Sequence, residues 1–335
     1  YTFYHYPDSY NCWWNFDTLP TVNKMDPKFI EYVITGEDSV LAHWLKLGAD
    51  GFRLDVVDEL PDEFVLLLKK RLRELKPDAL LIGEVWEDAS NKIAYSRRRR
   101  YFVDGELDSC MNYPFRTAIL NFIKGLDDGR VLAETVMTIA ENYPPQVLLC
   151  NMNLLGTHDT PRILTLLGVE RTPEDKGQRA AYRLSPAELA RGQKKLRLAA
   201  MLLYSFPGSP TLYYGDEAGM QGFEDPLNRG TYPWGSEDGS LLAFFRRLGQ
   251  LRAERVSMQC GIIRYLHAQG GGLVVERLHG TERTVTALNA GDTPLELTLP
   301  WDGRLCNDAV TGQQFLSQNG TVHLTLPPLD GVILV

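Results

Sequence analysis

Several things are scarce in this chain, and each scarcity removes a class of function. Positive charge is outnumbered, with 35 Lys and Arg against 43 Asp and Glu for a net −8. That balance disfavours nucleic acid and anionic membrane surfaces as partners. No apolar run is long enough for a transmembrane helix. Cysteine is sparse and odd in number, and Cys12, Cys110, Cys150, Cys260 and Cys306 have no metal-ligand spacing. The expectation is free thiols in a reducing, cytoplasmic compartment. No Gly-x-Ser-x-Gly elbow and no His-Glu-x-x-His helix occurs, which argues against serine-esterase and zincin chemistry. No signal peptide is visible, and Tyr1 does not look like a natural start. The single basic run, Arg97 to Arg100, reads as a solvated surface stretch. What is present is an ordinary globular composition over 335 residues, 44% hydrophobic, enough for one large domain and a smaller one.

The pattern along the chain changes twice. Residues 1–35 mix aromatics, Pro and Asp without a sustained period and read as irregular. From 36 to 255 strands alternate with helices. Helices are expected at 40–47, 61–76, 115–124, 131–143, 188–205 and 241–254, and strands at 49–56, 79–85, 107–112, 147–155 and 210–214. Alternation of this kind implies a parallel sheet whose functional edge is the C-terminal one. From 256 to 335, short alternating runs such as Thr284-Val-Thr-Ala-Leu288 are separated by Gly, Asp, Asn and Pro. They predict an antiparallel β-sandwich domain.

Three strings put carboxylates at the ends of predicted strands: Gly51-Phe52-Arg53-Leu54-Asp55, Gly83-Glu84-Val85-Trp86 and Gly156-Thr157-His158-Asp159. Alternate residues of a strand share a face, so Arg53 is expected beside Asp55 and Trp86 beside Glu84. A guanidinium next to a carboxylate favours the ionised form a nucleophile needs, and an apolar ring next to one suits a proton donor. His158 is placed to hydrogen-bond a hydroxyl, and Asp159 to steady developing positive charge. One such acid alone is as well explained by a structural ion pair. Three of them after three strands are harder to explain as packing.

These strings resemble the sequence regions of the α-amylase family of glycoside hydrolases, family 13. The resemblance implies that Asp55 is the nucleophile, Glu84 the general acid/base and Asp159 the transition-state stabiliser, with Arg53, His158 and Trp86 in the substrate pocket. It implies a retaining mechanism with the paired carboxyl groups roughly 5–5.5 Å apart. Leu19-Pro20-Thr21-Val22-Asn23 and Glu59 resemble the neopullulanase, cyclomaltodextrinase and maltogenic-amylase group, which adds Asn23 and Glu59 as substrate-binding candidates. Asp225 and Arg229, in Asp225-Pro226-Leu227-Asn228-Arg229, resemble residues binding the non-reducing side of a glucan.

The implied fold is α/β, a partial (β/α)8 TIM barrel of about strands 4 to 8 followed by the β-sandwich, with residues 1–35 as the tail of an inserted domain. The strings of the first three strands are missing, so a longer parent is expected, and a five-stranded barrel alone is expected to fold poorly or lack activity. No cofactor is expected. The family includes calcium-binding members, but the region that usually supplies those ligands is missing. The implied partner is an α-glucan, with homodimerisation of the longer protein a further expectation. Transglycosylation by the same acids, and a catalytically silent glycan-binding or assembly role, are the competing readings.

Overall fold

The structure, a computed structural model, describes residues 1–335. The chain divides into two units, Tyr1–Cys110 and Met111–Val335.

In the first unit the helix Val40–Lys46 starts where the Ser39 hydroxyl accepts the Ala42 N–H, and it buries Leu41 and Ala42. The strand Gly51–Leu54 follows and pairs in parallel with Leu80–Gly83, Gly51 opposite Leu80. A Cβ at Gly51 would sit 2.2 Å from the Leu80 carbonyl oxygen, so only glycine allows this approach. Between the strands runs the helix Asp62–Leu75, whose Phe64, Val65, Leu68 and Leu72 recur at helical offsets and are buried. Its Lys69 and Arg73 both pair with Asp108. The Asp108 carboxylate also accepts the Leu81 N–H at 2.8 Å, tying helix to strand. Ile82 and Gly83 pair in turn with Ser109 and Cys110.

Two expectations fail here for identifiable reasons. Residues 26–35 are not irregular: Asp26 caps the amides of Lys28 and Phe29, and Pro27 opens a helical turn, Pro27–Ile30, that continues through Glu31–Thr35. Nor is the basic run wholly solvated. Arg97 and Arg98 are exposed, but Arg99 is buried, donating to the carbonyls of Asp58 and Leu60 and pairing with Asp62 at 2.9 Å.

In the second unit Met111 and Asn112 pair in parallel with Met152 and Asn153, and Met152–Leu154 pairs in parallel with Ser209–Thr211. The buried side chains of Asn112 and Asn153 hydrogen-bond at 2.8 Å, and Asn153 donates onward to the Pro207 carbonyl. The helices Tyr113–Lys124, Gly129–Asn142, Pro186–Ser205 and Gly239–Glu254 match their predicted positions within a few residues. The third opens on a capping box between Ser185 and Glu188. The strand expected over 147–155 is a correction. Pro145–Cys150 is helical, with Pro145 in its first turn, and only Met152–Leu154 is extended. A short apolar run does not distinguish buried helix from buried strand, and here proline at the helix start decides.

The remainder of this unit is antiparallel. Ile262–Gln269, Gly272–His279, Glu282–Asn289 and Asp330–Leu334 form one sheet, and Leu295–Pro300 pairs with Thr321–Leu326 in another. Both contribute to a single apolar cluster that includes Val274, Val285, Leu297, Leu299, Val322 and Leu324. Two arginines, the buried Arg277 and the half-buried Arg252, bind carbonyls at nearby helix ends. Arg277 donates to Ser205 O at 2.6 Å and to Gly261 O at 2.8 and 3.1 Å, and Arg252 to Tyr204 O at 2.8 Å and Met258 O at 2.6 Å. Positive charge is favourable at these carbonyl-rich ends. Arg277→Met should therefore lower stability by about 2 kcal/mol through buried acceptors left without donors. A thermal melt shows this as a depressed midpoint; an unchanged midpoint would mean water replaces the guanidinium without cost.

No helix is long and apolar enough to cross a membrane, and all five cysteines are free.

Candidate active site

The strand Gly51–Leu54 ends one residue before Asp55, and the next residue, Val56, turns left-handed with φ 43° and ψ 54°. A β-branched residue in that region is strained. The turn points the Val56 N–H at Glu84, whose Oε2 accepts it at 2.8 Å. Arg53 spans both acids: Nη1 pairs with Asp55 Oδ1, and Nη2 lies 3.1 Å from Glu84 Oε2. The two carboxylates differ sharply in access, because the Asp55 side chain is 73% exposed and that of Glu84 only 6%. Trp86 meets Glu84 differently from the expectation. It offers its indole N–H, donating to Oε1 at 3.1 Å, so the contact it makes there is a polar one.

Asp55 opens into a cleft of about 490 Å³ whose lining includes Trp13, Leu19, Pro20, Val56 and Glu59. Glu59 is held there by Trp14 Nε1 at 2.6 Å and the Tyr95 hydroxyl at 2.9 Å. An adjoining cleft of about 530 Å³ shares Trp13, Thr21, Lys24 and Glu59 with the first. Asn23 lines neither; it is exposed, and its side-chain oxygen accepts the Met25 N–H. Its neighbour Lys24 lines both, and only adjacency to the Leu19–Asn23 string could have indicated it.

The second unit gathers the other four candidates. His158 Nε2 lies 3.1 Å from Asp159 Oδ2, and Arg229 Nη2 lies 3.5 Å from Asp159 Oδ1. Arg229 Nε also pairs with Asp225 at 2.8 Å and donates to the His158 carbonyl at 3.2 Å. The turn bearing Asp159 is tied locally, Thr157 N–H to the Thr160 hydroxyl at 3.0 Å and Asp159 N–H to the Thr157 hydroxyl at 3.2 Å. Nearby, burial pushes the Asp216 carboxyl up to about 7, against the opposing pull of Arg162.

Against known proteins, the catalytic domain of the α-amylase family matches residues 5–259. The chain belongs to the α-amylase family. This family member is 33% identical to an amylopullulanase from Thermoanaerobacter thermohydrosulfuricus over 98% of the chain and 24% of that protein. It is 30% identical to neopullulanase 2 from Thermoactinomyces vulgaris over 94% of the chain and 49% of that protein. The type III pullulan hydrolase from Thermococcus kodakarensis has the same fold over 100% of the chain and 54% of its own, with a TM-score of 0.80 and 28% identity. The chain thus spans about a quarter of the length of the amylopullulanases it matches. Similarity to a neopullulanase agrees with the subgroup that Leu19–Asn23 and Glu59 resemble.

Proposed function

We propose that the protein carrying this chain is a retaining α-glucoside hydrolase. Its substrates are the α-1,4 linkages, and also the α-1,6 linkages, of maltooligosaccharides, cyclodextrins, pullulan or starch. The observation that carries this reading is one guanidinium, Arg53, bridging an accessible carboxylate, Asp55, and a buried one, Glu84. Asp55 attacks the anomeric carbon as the bond to the leaving oxygen breaks, and that oxygen takes the proton of Glu84. The resulting Glu84 carboxylate then removes a proton from water, whose oxygen displaces Asp55 from the anomeric carbon. Two inversions give net retention. Asp159, assigned by its Gly156-Thr157-His158-Asp159 string, stabilises the oxocarbenium-like charge. His158, Trp86, Asn23, Asp225 and Arg229 are assigned to the sugar on the same ground.

The reaction as written needs no cofactor. No group of three His, Cys, Asp or Glu side chains is arranged to hold an ion, and no step is routed through one. For the fold we propose the later strands of a (β/α)8 barrel over 36–255, preceded by the tail of an inserted domain over 1–35. Parallel pairing in both units supports it. A β-sandwich over 256–335 is supported by two antiparallel sheets sharing one apolar cluster.

Proton NMR of freshly cleaved maltotriose tests the mechanism. The α-anomer should appear first and the β-anomer only by mutarotation; a β-anomer formed first would exclude retention. Glu59, fixed by Trp14 and Tyr95 in the cleft beside Asp55, also favours an acceptor sugar there. Added maltose should therefore yield some longer transfer products.

A further inference from the structure

The turn that carries His158 and Asp159 is anchored by a residue with no surface of its own. Asn228 is fully buried. Its side-chain amide donates to the carbonyls of His158 at 2.7 Å and Thr160 at 2.9 Å, the two residues flanking Asp159. Its backbone carbonyl accepts Arg162 Nε at 2.7 Å. Arg162 is itself fully buried and lies against two rings, its guanidinium carbon 4.2 Å from the Tyr213 centroid and 4.6 Å from that of Tyr214. Its Nη1 bonds the Tyr214 carbonyl and lies 3.4 Å from Asp216. Its backbone N–H donates to the Gly222 carbonyl at 2.9 Å. The segment bearing Asp159 and the segment bearing Asp225 and Arg229 are therefore laced together from beneath, through one carboxamide and one guanidinium.

We infer that Asn228, backed by Arg162, is a positioning residue that fixes Asp159 and its partner Arg229 in one relative orientation. The inference rests on the hydrolase reading above only for its kinetic consequence. Asn228 is too buried to touch substrate, so it acts through the turn. The chemistry specifies a carboxamide: both N–H bonds go to carbonyls, and a carboxylate of the same shape would present only acceptors to acceptors. Arg162 is specified in the same way, since a lysine ammonium cannot reach Asn228, Tyr214 and Asp216 in one planar fork.

The test uses Asn228→Ser, which keeps one donor, and Arg162→Lys, which keeps the charge, in the protein that carries this chain. Displacement of about 1 Å at a charge-stabilising group lowers turnover by up to about a hundredfold. Asn228→Ser should lower kcat on maltotriose by about tenfold or more per folded molecule, and Arg162→Lys by less. In an Asp159→Asn background the same Asn228 change should cost little further, because residues acting as a unit are non-additive. A purely structural residue would instead lower the melting midpoint, leave kcat per folded molecule unchanged, and add its effect fully to that of Asp159→Asn. Hydrogen exchange gives a readout free of activity: in Asn228→Ser, exchange over residues 156–161 should rise about tenfold while the helix over residues 186–205 stays protected. Unchanged exchange in that turn overturns the inference, whether or not glucan is cleaved. Absence of glucan cleavage by the unaltered protein, with exchange rising as expected, overturns the hydrolase reading and leaves Asn228 as the anchor of the turn.

Discussion

Glu84→Gln should lower kcat/KM on maltotriose or a cyclodextrin by about 10²–10⁴, the range over which general acid–base catalysis contributes. The substitution is nearly isosteric. The amide oxygen can still accept the Val56 N–H, so the turn after Asp55 should persist, although the amide nitrogen no longer offers the Trp86 N–H an acceptor. What is lost is the proton. The loss should therefore depend on the leaving group: an α-glucosyl fluoride, whose fluoride departs with little protonic help, should retain far more of its glycosylation rate than a maltooligosaccharide. Deglycosylation also lacks its base, and azide, which needs none, should recover turnover and release a glycosyl azide. Equal losses on both substrates, with no azide product, would remove Glu84 from the acid/base role. Unchanged turnover would remove the mechanism.

Arg53→Met should lower kcat/KM by about 10²–10³, the scale on which loss of one preorganised electrostatic partner is felt. The side chain left behind has similar length but no charge, so Asp55 and the buried Glu84 lose the cation they share. Asp55 then loses the neighbouring positive charge that favours its ionised, nucleophilic form. Arg53→Lys discriminates between charge and geometry. An ammonium restores charge near one carboxylate but cannot present two parallel donors to both, so it should recover only part of the loss. Full recovery by lysine would reduce Arg53 to a local countercharge.

Much of this arrangement was legible in the chain because it depends on short-range rules. Apolar runs broken by Gly or Pro marked most helices, and a two-residue period placed Arg53 beside Asp55. The acid-bearing strings were recognisable because each role in the reaction demands one residue type at one place. Other features depended on partners distant in sequence. Arg99 looks like the rest of its basic run, and its burial follows from carbonyls and Asp62 some forty positions away. Trp86 was expected to offer a ring face, yet the N–H found Glu84, a choice of rotamer that no pattern encodes. Asn228 lies inside the Asp225–Arg229 string, where its charged neighbours carry the recognisable signal. Buried carboxamides that bind backbone carry no periodic signal at all. The helix over Pro145–Cys150 is hidden for a local reason, since the apolar residues after its opening proline fit a buried strand equally well.

Val56 has a bearing on how such a protein responds to engineering. A valine in left-handed backbone costs of order 1–3 kcal/mol, while glycine adopts the conformation freely. A screen rewarding heat resistance alone would therefore favour glycine or asparagine at position 56, because the strain disappears. The same exchange loosens the one peptide that joins Asp55 to the amide held on Glu84 at 2.8 Å. Variants selected for survival on heating would drift toward slower turnover at this position, and a screen scoring both properties would keep the valine.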